Sequence, residues 1–214
     1  MPRSDGNAEL IIQIAAGSTA ADRLSAVLDA NEVASVLIMP CSARPLAAED
    51  AHPLVELAQG HGAAALIMAN PVLARAVAAD GLHLPASEEP VVAYRAAREL
   101  LGPRMIIGAD PGALRHNAMV LGEEGADYVG FGLPTGSADG TSDREARLEL
   151  VAWWAEIFEI PCVGLDVTDV ADAQKLAMAG ADFIGVLMPP EETPAAVATR
   201  IRMLSQALGI SDFE

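Results

Sequence analysis

One unit recurs from end to end of this chain: a short apolar run, then a stretch with helical periodicity, eight times over. The strand-like runs fall near Leu10–Ala16, Val33–Met39, Ala64–Ala69, Gly81–Leu84, Met105–Ala109, Asp127–Gly132, Cys162–Leu165 and Asp182–Leu187. The helical patterns lie near Thr19–Ala30, Ala47–Gln59, Val72–Ala79, Pro90–Leu101, Ala113–Glu124, Asp143–Phe158, Val170–Ala179 and Glu191–Leu208. Ser18 and Asp169 are placed to cap helix starts, and Gly102, Gly125 and Gly180 stand where helices should stop. Strand–helix alternation of this kind implies parallel strands joined by crossover helices. Eight units favour closure into a single (β/α)8 barrel over an open sheet, and the first turn, AAGSTAAD, lacks the G-x-G-x-x-G of a dinucleotide fold. No linker divides the chain, so residues 1–214 read as one domain.

The 214 residues are near the lower end for a complete barrel of this type. No apolar run approaches the ~18 residues of a membrane span, and the segment MPRSDGNAE lacks the apolar stretch of a secretory signal. Cys41 and Cys162 form neither a disulfide framework nor a metal-binding pair spacing. A cytoplasmic protein is expected. A net charge of −17 repels nucleic acid and anionic membranes. It also repels phosphorylated ligands unless a local site reverses the field.

On a (β/α)8 barrel the ligand sits at the C-terminal ends of the strands. Strand alternation then selects the inward side chains. His83 faces the lumen between two leucines, and Asp110 follows Gly108 inward. With Val163 and Leu165 turned to the helices, Gly164 and Asp166 face in, as do Gly130, Gly132 and Gly185. The five glycines Gly108, Gly130, Gly132, Gly164 and Gly185 leave room for a small molecule. The alternative is that Met39, Met68 and Met188 fill that space. Asp110 and Asp166, on one cavity, suit a metal, an amine or a ring nitrogen; the alternative is that they cap the helices that follow. His83 is a candidate acid or base beside them, or a structural lumen histidine.

The segment Leu133–Asp143, LPTGSADGTSD, supplies Thr135, Gly136 and Ser137 just beyond the sixth strand. Hydroxyls and glycine N–H groups cradle phosphate without a cation; a surface loop with a helix cap is the other reading. Adjacent Trp153 and Trp154 point about 100° apart on a helix, placing one in the core and the other near the surface, where it is available for contact with a second copy of the chain.

The run DGLHLPASEEP, then IIGADPG, EEGADYVGFGLPTGS, IPCVGLD and AGADFIGVLMPP, resembles thiamine phosphate synthase and its relative the thiazole tautomerase. The agreement in order and spacing covers Ala79–Pro190. The resemblance implies a diphosphate-releasing transferase that joins hydroxymethylpyrimidine diphosphate to thiazole phosphate in the barrel mouth, with magnesium. It implies a dissociative displacement, in which diphosphate leaves and the thiazole nitrogen captures the pyrimidine cation. Residue by residue, it places Arg44 near the basic cluster that ends the family's second strand. It puts Asn70 at the end of the third strand and Glu88 in place of a metal-binding carboxylate after the fourth. Thr135 and Ser137 keep two hydroxyls of the diphosphate loop. Other family positions differ: Met68 and Ala69 stand in the Asn-Asp-Arg segment, and Leu165 and Asp166 stand where the family has Gly-Gly.

Overall fold

The computed structural model describes residues 8–41, 44–134 and 140–210. Its strands are β1 (Glu9–Ala15), β2 (Ser35–Met39), β3 (Ala64–Met68), β4 (Gly81–Leu84), β5 (Ile106–Ala109), β6 (Tyr128–Phe131), β7 (Cys162–Val167) and β8 (Phe183–Met188). The helices that follow each strand are α1 (Ala20–Leu28), α2 (Ala48–Gly60), α3 (Pro71–Ala76), α4 (Pro90–Leu101), α5 (Arg115–Glu123), α6 (Gly140–Ile157), α7 (Val170–Met178) and α8 (Pro194–Ala207). All eight strands pair in parallel in sequence order, and β8 closes onto β1. The α/β barrel expected from the alternation is the fold observed.

Two cores result. The larger lies between sheet and helices and takes the outward residues of each strand, such as Ile12, Val36, Leu82, Val129 and Phe131. The smaller fills the lumen with Ile11, Leu37, Leu66, Tyr128, Val163 and Leu165. Because both strand faces are buried, the strands read as near-continuous apolar runs rather than as an alternation.

Local signals explain several boundaries. Asn70, Asp169 and Thr193 each cap a helix by accepting from the backbone N–H three residues on. Pro71, Pro90 and Pro194 open their helices, where a missing N–H costs nothing. The Ser18 cap is not observed: α1 is preceded by Thr19, which makes no side-chain capping bond. Of the tryptophans, Trp154 is fully buried. Trp153 is half-buried, with the Arg115 guanidinium 4.9 Å from its ring centroid.

Candidate active site at the barrel mouth

The lumen below the mouth is packed rather than hollow. A Cβ on Gly108 would lie 2.0 Å from Cζ of Tyr128, so this glycine exists to admit the tyrosine ring. Gly130 makes room for His83 and Leu165 in the same way, and Gly185 for Leu165 and Gln13. Met39 and Met68 pack against this lumen core, whereas Met188 belongs to the outer one. Four of the five expected lumen glycines therefore face inward, but side chains take most of the space they leave. Gly164 is the exception: a Cβ there would meet Leu176 of α7 at 2.8 Å, so it faces the helices, while Val163 and Leu165 face the lumen.

Above this plug lies a polar layer made by Gln13, Asp110 and Asp166. Asp110 follows β5, and its Oδ1 accepts from Gly112 N at 2.7 Å, closing a tight turn. Its Oδ2 accepts from Gly132 N at 3.0 Å. Capping of α5 by Asp110 is excluded, because that helix starts later, after Leu114. Burial pushes the Asp110 carboxyl up to about 6; the N–H groups of Gly112 and Gly132 pull against that shift, and the Asp166 carboxylate adds to it.

Asp166 reaches the mouth by an irregularity. Pairing of β7 with β8 shifts between Gly164 and Val167, and Asp166 adopts φ +62°. This bulge inserts a residue, so Leu165 and Asp166 both lie on the lumen side. The Asp166 carboxylate accepts from Gln13 Nε2 at 3.0 Å and from Leu133 N at 2.8 Å, while Asp166 N donates to Gln13 Oε1 at 2.7 Å. Asp110 and Asp166 thus flank the exit of β6, one bonded to Gly132 and the other to Leu133.

His83 does not join them. It is buried one layer deeper, with Nδ1 3.0 Å from the Tyr128 hydroxyl and the two rings stacked at 5.7 Å. Burial lowers its imidazole to about 4 and raises the Tyr128 phenol, so the neutral forms of both are favoured. Arg44 is exposed and paired with Asp50 at 2.8 Å. Asn70 uses its Oδ1 to accept from Leu73 N at 3.0 Å. Glu88 is exposed in the turn after β4. Thr135, Gly136 and Ser137 lie outside the described residues.

Magnesium takes near-octahedral oxygen donors, typically one or two carboxylates with substrate phosphate and water. Among the described residues no group of three or more His, Cys, Asp or Glu converges. Each carboxylate oxygen of Asp110 and Asp166 already accepts an N–H bond. Each of these oxygens keeps a second lone pair, so Asp110 and Asp166 are able to contact a magnesium ion otherwise held by substrate phosphate and water, while Glu88 stands exposed in the turn after β4.

Gln13 and Tyr128 were not foreseen from the sequence. A lone glutamine within ELIIQIA was the available signal for the first, since a polar side chain buried in a strand needs a partner.

Fold and mouth together define a (β/α)8 barrel with a polar, carboxylate-bearing layer at its strand C-termini, the face where such barrels work. The family described as thiamine monophosphate synthase matches residues 11–188. A thiamine-phosphate synthase of Rhodospirillum centenum is 39% identical over 194 residues, covering 86% of this chain and 90% of that protein. Another, from Hyphomonas neptunium, is 41% identical over 157 residues, covering 71% and 69%. Among solved structures, thiamine phosphate pyrophosphorylase from Pyrococcus furiosus superposes with TM-score 0.71 at 22% identity, covering 95% of this chain and 98% of that one. A tryptophan synthase chain of Mycobacterium tuberculosis gives TM-score 0.75 at 17% identity, covering 94% and 93%. These two structures speak for the fold alone. The chain belongs to the thiamine monophosphate synthase family.

Proposed function

We propose that this protein acts in thiamine biosynthesis, joining a hydroxymethylpyrimidine diphosphate to a thiazole phosphate at the barrel mouth and releasing diphosphate. The observation that carries the reading is the family match, which runs through seven of the eight strands in full and most of β1. The polar layer supplies a chemical rationale. Departure of diphosphate leaves positive charge on the pyrimidine methylene carbon, and fixed carboxylates aimed at that charge lower the barrier. Asp110 and Asp166 are pre-oriented by backbone N–H groups and Gln13, so little reorganisation accompanies the step.

In this reading His83 and Tyr128 form the floor beneath the reacting groups. Arg44, Asn70 and Glu88 follow β2, β3 and β4 and form the rim, and Thr135, Gly136 and Ser137 receive phosphate oxygens. In this reading magnesium that neutralises the diphosphate is held chiefly by the substrate, beside Asp110 and Asp166. No described helix is long and apolar enough to cross a membrane, and the reading places the protein in the cytoplasm. A second copy of the chain is the proposed partner, which light scattering would test.

The decisive assay supplies both substrates and magnesium to purified protein and follows thiamine phosphate. Product formation dependent on both substrates is expected, and abolished by D110A or D166A. No product at high enzyme concentration rejects the reading.

A further inference from the structure

Arg147 of α6 lies on the same face as Val151 and Trp154, turned to the sheet, and its side chain is only 1% exposed. Its partner Asp172, in the first turn of α7, is 8% exposed. Arg147 Nη2 donates to both Asp172 carboxylate oxygens, at 2.7 and 2.6 Å. Arg147 Nη1 donates to the Leu165 carbonyl. A buried ion pair contributes little net stability over apolar residues of similar volume, because desolvating two charges offsets most of the attraction. Stability is therefore a weak reason for a guanidinium in this position.

The bond to Leu165 offers a better one. The Leu165 carbonyl and the Asp166 N–H belong to one peptide unit. Arg147 holds the carbonyl from the helix side, while Gln13 accepts from the N–H on the lumen side, at 2.7 Å. This unit sits in the bulge of β7, and the residue it leads into has φ +62°, where a side chain other than glycine is strained by roughly 1–2 kcal/mol. Rotating the peptide back into a regular strand would relieve that strain and turn the Asp166 carboxylate away from the mouth. Clamps on opposite faces of the sheet oppose that rotation. Arg144, three residues earlier on α6, adds bonds to Asp169 at 2.6 Å and Thr168 at 3.3 Å, so the same helix grips the segment that follows β7.

We propose that Arg147, charged and oriented by Asp172, is a positioning residue that locks the Leu165–Asp166 peptide and so aims Asp166 into the active site. The proposal rests on the preceding reading of Asp166, which it deepens by naming what sets the carboxylate's direction.

The test replaces both charges, R147M/D172L, so that no buried charge is left unpaired, and includes R147K. Kinetics are measured with both substrates, and the Gln13 side-chain amide is followed by NMR, since it bonds to Asp166 in the parent. The expected result is a folded double variant whose kcat falls about 10- to 100-fold, the scale for displacing a reacting group by about 1 Å. KM should change far less, the Gln13 amide resonances should shift, and R147K should recover part of the kcat. A folded double variant with parental kcat and unshifted Gln13 resonances overturns the proposal. Should the double variant not fold, R147K decides: lysine cannot span both the Leu165 carbonyl and the Asp172 carboxylate in the same geometry, so parental kcat and resonances in R147K overturn it equally. Should the parent itself make no product, the functional reading falls, and the Gln13 resonances alone decide whether Arg147 positions Asp166.

Discussion

Gly132 donates its backbone N–H to Asp110 Oδ2 at 3.0 Å, at the point where β6 passes between the two mouth carboxylates. A Cβ on Gly132 would lie 2.8 Å from that same Oδ2 and 3.0 Å from Asp166 Oδ2. The glycine therefore sets how closely both carboxylates approach β6. Gly132→Ala should drive both outward. Carboxylate ends are movable, so the cost to stability should stay within about 1–3 kcal/mol. The cost to kcat should be larger in proportion, on the order of 10-fold or more. Thermal unfolding and steady-state rates on one preparation check this; a variant with lost stability and unchanged kcat would show that the carboxylates need no such placement.

Asp110 should leave a mark on the pH dependence of stability. Its carboxyl is held up to about 6 by burial, while in the unfolded chain it ionises near 4. Between those values the unfolded state has released a proton that the folded state keeps, so stability falls as pH rises through that window and stays lower above it. The loss is on the order of 3 kcal/mol for a shift of this size. Asp110→Asn cannot titrate and should lack this loss. The measurement is urea unfolding of parent and variant at about pH 4 and about pH 7. The difference between the two proteins should become less favourable to the parent as pH rises. A difference independent of pH would mean that Asp110 is solvated.

The fold was legible because its signal is repeated: eight apolar runs and eight helical patterns leave little choice of topology, and the boundaries moved by only a few residues. Facing was legible where strands were regular. Val129 and Phe131 point outward and Gly130 inward, as simple alternation requires. In β7 the same rule gave the wrong face for Gly164 and yet the right one for Asp166, because alternation breaks at the bulge between them. Nothing in CVGLDV announces that break, since Val163 and Leu165 are as apolar as residues facing the helices. Partners were the least legible. Gln13 meets Asp166 across 153 residues of sequence, a pairing fixed only by barrel closure. Arg147 could have been singled out, because a charged residue in register with Val151 and Trp154 on a helix needs a buried partner.

Asn70 separates a structural role from a binding one. Its side chain caps α3, a helix of only six residues opened by Pro71. Asn70→Ala should cost about 1 kcal/mol of stability, and Asn70→Asp should restore it, since aspartate caps as well. On the rim of a site for diphosphate, however, the aspartate adds a like charge. Asn70→Asp should therefore raise KM for the diphosphate substrate while stability is preserved, and the effect should shrink with added salt. An unchanged KM would remove Asn70 from the binding surface and leave it a cap alone.

His83 is predicted to be silent in the pH profile of the reaction. Burial holds its imidazole down to about 4, and its Nδ1 is bonded to the Tyr128 hydroxyl. The ring should remain neutral between about pH 5.5 and about pH 8, where an exposed histidine would titrate. Its linkage runs opposite to that of Asp110. As pH falls from the unfolded value near 6.5 toward 4, the unfolded chain takes up a proton that the folded ring refuses, and stability is lost. Nitrogen-15 NMR of the imidazole gives a direct check: the ring shifts should stay flat across that range, and Tyr128→Phe should alter them by removing the hydroxyl. A His83 ring that titrates near pH 6.5 would mean that water reaches the lumen floor, contradicting the packed layer of Tyr128, Leu165 and Met68 and reopening a direct acid–base role for the residue.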